Sequence, residues 1–131
     1  MPTRRTLLAL LAAALFSAAG LPALAAEVAP FTQEGFAAAQ AAGASILVHI
    51  FAPWCPTCKA QQPILEKLES APKFGALKVF RVDFDNQKGV VRQFKATTQS
   101  TLIVFKGVTE TGRSVGDTDP ASIAALLNKA L

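Results

Sequence analysis

The chain has 131 residues, 51% of them hydrophobic, which is enough for one domain with one core. Its formal charge of +4 falls to +2 once Arg4 and Arg5 are set aside, and no basic stripe remains, which argues against nucleic acid as a partner. The two cysteines lie three positions apart, so none is left for a structural bridge elsewhere.

Residues 1–25 read as an export signal. Arg4 and Arg5 precede an apolar stretch from Leu7 to Ala19, and Ala23-Leu24-Ala25 offers a small-residue cleavage site. The context of the two arginines also suits a twin-arginine route. An uncleaved anchor is the alternative, disfavoured by a short apolar stretch that Gly20 and Pro22 interrupt. The mature domain then comprises 26–131 and is expected in a periplasmic compartment.

Glu27 to Pro30 reads as a lead-in. Thr32 is placed to cap a helix from Gln33 to Ala42, with Gly43 as its stop. Ile46 to Phe51 is apolar on both faces apart from His49, as suits a central parallel strand. Ala52-Pro53-Trp54 follows it, and Cys55-Pro56-Thr57-Cys58 opens a helix that runs to about Ser70 with Ile64, Leu65 and Leu68 inward. A second strand from Leu77 to Phe84, a short helix capped by Asp85 or Asn86, and a β run from Thr101 to Phe105 come next. Gly107 to Gly112 turns the chain into a further strand ending near Val115. Asp119-Pro120 then starts a last helix that buries Ile123, Leu126, Leu127 and Leu131.

The cysteines carry the chemistry. A helix start offers unpaired N–H groups and the positive end of the dipole, which favour an anion and make Cys55 the candidate nucleophile, expected to be accessible to solvent. Pro56 suits the first helical position because it has no N–H to lose. Cys58 lies about one turn on and can close a disulfide with Cys55, which makes it the resolving thiol; Lys59 adds a minor positive charge.

Trp54-Cys55-Pro56-Thr57-Cys58-Lys59, following a buried strand and followed by Pro63, resembles the active site of the thioredoxin superfamily. Phe105-Lys106 and Gly116 fit the same pattern, and the resemblance runs from about Phe31 to Leu131. It implies an α/β thioredoxin fold with a mixed central sheet and helices on both faces. It also implies that Trp54 covers the disulfide and forms part of a partner-binding patch.

Three departures stand out. The family carries a cis-proline before its third strand, whereas this chain has Gln99-Ser100 and no proline between Pro72 and Pro120. A non-proline cis bond costs about 2.5 to 4 kcal/mol, so a trans bond and a reshaped loop are expected. Ser100 could then donate its hydroxyl to the Cys55 thiolate, or merely start a strand. Second, His49 stands where similar thioredoxins have a buried acid, and a neutral imidazole could take the Cys58 proton. A core histidine without a redox role is the alternative. Third, the Pro56-Thr57 dipeptide is similar to that of exported reductants and leans toward reduction.

These readings converge on an exported, monomeric thiol–disulfide oxidoreductase needing no cofactor. Its partners would be protein disulfides or dithiols, and the resemblance implies a membrane dithiol carrier as the electron source. The rival is a metal- or cluster-binding interaction module on the same pair, since Cys55 and Cys58 have the spacing of half such a site.

Overall fold

β2 (Ser45–Phe51) is the axis of the molecule, and its side chains from Ile46 to Ile50 are all buried. In the computed structural model, which describes Gly20 and residues 25–131, β2 lies third in a five-stranded sheet of order β1-β3-β2-β4-β5. The export signal expected at 1–25 falls, apart from Gly20 and Ala25, outside the described residues. β1 (Glu27–Pro30) and β2 both run parallel to β3 (Lys78–Asp83). β4 (Thr101–Lys106) is antiparallel to β2, and β5 (Thr109–Val115) is antiparallel to β4.

Alternation along the strands builds two apolar layers. One face of the sheet presents Ile46, Val48, Ile50, Phe80, Val82, Ile103 and Phe105. These pack under α1 (Gln33–Ala41) and α3 (Lys88–Gln93), where Phe36 and Phe94 meet edge to face at 5.3 Å. The other face presents Leu47, Val79, Leu102 and Val104 to Leu65 of α2 (Pro56–Glu69) and to Ile123 and Leu127 of α4 (Pro120–Asn128). Helices thus cover both faces of a mixed sheet, the α/β architecture that the sequence implies. His49 is two residues from Leu47, so it points into the α2 layer.

Local chemistry explains the ends of the elements. The Thr32 Oγ1 accepts from the Gly35 N–H at 3.1 Å, and Asp119 Oδ2 accepts from the Ser122 N–H at 2.9 Å, so both expected caps form. The β4–β5 turn needs Gly107, whose φ of +58° lies in the left-handed region.

Four details differ from the sequence reading. The lead-in at 27–30 is a short parallel edge strand, supplied with partners by β3. α3 is capped by neither Asp85 nor Asn86: their N–H groups donate instead to Asp83, and Gln87 occupies the cap. β5 begins at Thr109, so Gly112 lies within the strand rather than in the turn. Leu131 is exposed, because α4 ends before it and Ala130 fills the core there.

Candidate active site

The two thiols sit where β2 ends and α2 begins. Cys55 has extended backbone dihedrals (φ −76°, ψ 115°) and is the N-cap of α2, with Pro56 at the first helical position. Its carbonyl accepts the first helical bond, from the Lys59 N–H at 3.1 Å, and its Sγ accepts from the Cys58 N–H, also at 3.1 Å. A sulfur thus occupies the place of a capping oxygen, against the unpaired donors of the helix start. The thiols are unbridged. Burial pushes the Cys58 thiol up, and its hydrogen bond with Cys55 adds to that rise, while the backbone of Ala52 and Ser100 opposes it.

Cys55 is not the solvent-accessible sulfur that its position suggests. It is 1% exposed, and Cys58 is 4% exposed. The residues beside Cys55 in the chain are nonetheless exposed: Pro53, Trp54 and Pro56, with Thr57 half-buried. Trp54 is 56% exposed, and its indole Nε1 donates to Asp85 Oδ2 at 2.7 Å. Lys59 is exposed and lines an open cavity of about 270 Å³ together with Cys58, His49, Gln62 and Arg81.

Ser100 comes to the site by its backbone rather than its hydroxyl. The Oγ–H donates to the Gln99 carbonyl at 2.6 Å, so the bond to Cys55 does not form. No cis peptide bond occurs among the described residues, and Ser100 instead takes φ +58°, a strained value for a residue with a Cβ. Its carbonyl accepts from the Gly116 N–H at 3.0 Å and from Gln61 Nε2 at 3.3 Å.

His49 is 2% exposed and lies opposite Arg81 on β3 and Leu102 on β4. Burial, and then the Arg81 charge, bring its pKa down to about 4, while the Gln61 side chain opposes that fall. The imidazole is therefore neutral at pH 7.

Two participants escaped the sequence reading. Gln61 is fully buried, although it lies three residues beyond Cys58 and four before Leu65, on the inward stripe of α2. Arg81 stacks its guanidinium 3.9 Å from the Phe51 ring centre, and the register that sets it beside His49 is not visible in one strand alone. Among the described residues, no three His, Cys, Asp or Glu side chains gather as a metal would require.

The thioredoxin family profile matches residues 27–129. A thioredoxin of Chlamydia trachomatis serovar D is 37% identical over 98 residues, covering 75% of this chain and 93% of its own length. Thioredoxin-2 of Saccharomyces cerevisiae is 33% identical over 78 residues, covering 60% of this chain and 72% of its own. Among solved structures, Trxlp from Edwardsiella tarda EIB202 superposes with a TM-score of 0.76 at 42% identity, over 77% of this chain and 98% of that one. The match runs through every strand and helix described above, and the chain belongs to the thioredoxin family: it is a thiol–disulfide oxidoreductase.

Proposed function

We propose that the protein is an exported reductant of protein disulfides, working as a monomer through Cys55 and Cys58. The observation that carries this reading is the sulfur at the α2 N-cap, held 3.1 Å from the N–H of the second cysteine. The Cys55 thiolate attacks one sulfur of a partner's disulfide, forming a mixed disulfide and releasing one partner thiolate. Cys58 then gives up its proton and attacks Cys55 Sγ. The Cys55–Cys58 bond forms, and the second partner thiolate leaves.

Because both thiols are buried, the surface over Cys55 has to open before a partner's disulfide touches the sulfur. His49, which shares a cavity with Cys58, is the group placed to take the resolving proton, against the burial and the Arg81 charge that disfavour its protonated ring. Residues 1–25 direct the chain to the periplasm, and a membrane dithiol carrier returns it to the reduced state.

The test is a Cys58→Ser variant of the exported chain. It should accumulate mixed disulfides through Cys55, releasable by dithiothreitol, and the mature protein should begin at Ala26 in the periplasmic fraction. Metal at half a mole or more per chain after anaerobic purification, with no trapped partner, would replace this reading by the metal-binding one. A Cys55–Cys58 potential near about −270 mV supports reduction, and one near about −120 mV makes the protein an oxidant.

A further inference from the structure

The cavity of about 270 Å³ beside Cys58 is lined by His49, Lys59 and Arg81 and, among the described residues, by no carboxylate. His49 and Arg81 are register partners on β2 and β3, so their side chains stand next to each other on the α2 face of the sheet. Each holds a buried nitrogen without a partner, His49 Nε2 and Arg81 Nε. A buried N–H left unpaired costs free energy, the more so on a charged group, and two side by side call for an acceptor. Gln61 Oε1 and Ser114 Oγ are unpartnered as well, but neither residue lines this cavity.

The acids of the chain itself do not supply that acceptor. Among the described residues, Arg81 makes no ion pair. Asp83, two residues on and on the same face of β3, accepts instead from the N–H groups of Asp85 and Asn86 and from the Asn86 side chain. Glu66 accepts from Gln62, and Glu69 on α2 reaches Arg81 only through its field. Stacking on Phe51 at 3.9 Å holds the guanidinium by its flat face, and its N–H groups, which lie in the plane, stay available at the edge.

We propose that this cavity is a carboxylate-binding site: Arg81 grips the two oxygens by its N–H edge, His49 donates Nε2–H to one of them, and Lys59 adds positive charge from α2. A guanidinium matches a carboxylate in shape and makes the strong, charge-assisted form of hydrogen bond. One negative charge is the fitting load, because Arg81 is half-buried whereas Lys59 is exposed and screened by water. The carboxylate belongs to a free small acid or to an acidic side chain of a bound partner, and its recognition is the same in both cases. Among the described residues, those facing the ring of His49 are Arg81 on β3, the apolar Leu102 on β4, and Cys58, Lys59 and the neutral Gln61 on α2. A bound anion opposes the Arg81 charge there and raises the pKa of the ring from about 4.

Binding is measured independently of the disulfide cycle. His49 is the single histidine of the chain, so ¹⁵N-labelled reduced protein offers its ring and the Arg81 Nε–H as separate probes. Sodium acetate replacing sodium chloride at constant ionic strength and pH 7 should shift both along one saturation curve, half complete at about 10 mM. The titration midpoint of the ring should rise with added acetate. Arg81→Gln should abolish the saturable shift at His49, and Lys59→Gln should weaken acetate by about twofold. Shifts that rise linearly, or a His49 curve that survives Arg81→Gln, overturn the proposal, and inorganic phosphate binding more tightly than acetate overturns the carboxylate class. If Arg81→Gln does not fold, the agreement or disagreement of the two wild-type curves decides alone. Disulfide peptides with Glu or Gln beside the cystine separate the sources: a KM that acetate raises for the Glu peptide alone assigns the site to a partner's side chain, and equal KM values assign it to a free acid. This last arm alone rests on the disulfide cycle proposed above, whose failure is read by the trapping experiment with Cys58→Ser.

Discussion

The indole N–H of Trp54 donates to the carboxylate of Asp85 across a sequence separation of 31 residues, at 2.7 Å. This bond ties the segment just before Cys55 to the loop between β3 and α3. A large exposed aromatic ring is therefore held in one orientation instead of sweeping across the site.

Asp85→Ala should free that ring. The expected result is a rise of about fivefold in KM for a protein disulfide with kcat little altered, the equivalent of about 1 kcal/mol from one hydrogen bond to a charged group at an exposed site. Asp85→Asn keeps an acceptor and should recover most of the loss. Steady-state reduction of a protein disulfide by the three proteins decides it, and a KM in Asp85→Ala equal to that of the wild type refutes the tie.

His49 should make the fold acid-sensitive. Unfolded, the ring titrates near 6.5, whereas in the fold it titrates near 4. Above pH 6.5 it is neutral in both states and costs nothing. As pH falls from 6.5 to 4, the unfolded chain takes up a proton that the native state refuses, and stability drops by about 3 kcal/mol in total. Urea unfolding of wild type and His49→Gln across this window measures the difference, because the carboxylates titrate in both. Parallel pH slopes for the two proteins would contradict the assignment.

Gly112 should not tolerate a side chain. A Cβ built there would lie 2.9 Å from Leu126 Cδ1 and 3.1 Å from Lys129 Cδ, because β5 passes directly beneath α4. Gly112→Ala should lower stability by about 1 to 3 kcal/mol, the usual cost of overpacking a filled layer. Combining it with Leu126→Ala, which empties the contested space, should cost less than the sum of the two single changes. Thermal unfolding of the three variants gives the comparison.

Much of this architecture could be read from residue order. β2 declared itself by five consecutive apolar or buried-type positions, and α2 by Pro56 and the spacing of Cys58 and Leu65. The Thr32 and Asp119 caps are local chemistry and needed no tertiary information. β1 was hidden because four residues ending in proline have little strand character of their own, and β3 supplies the ladder. The active-site geometry divided along the same line. The dithiol at a helix start was legible, whereas its burial, the Trp54–Asp85 bond and the His49–Arg81 pairing depend on chain segments that only the fold brings together. Ser100 was expected either to donate its hydroxyl to the Cys55 thiolate or merely to start a strand. Its left-handed backbone sends that hydroxyl to the neighbouring carbonyl and turns its own carbonyl toward Gln61.

The shielding of both sulfurs has a bearing on damage as well as on turnover. Over-oxidation to sulfinic and sulfonic acids follows thiolate character and exposure, and it demands repeated encounters with a small diffusing oxidant. With 1% and 4% of their surfaces open, the two residues present hydrogen peroxide with almost no target. Burial of the dithiol thus guards it from small diffusing oxidants while it waits for a protein partner.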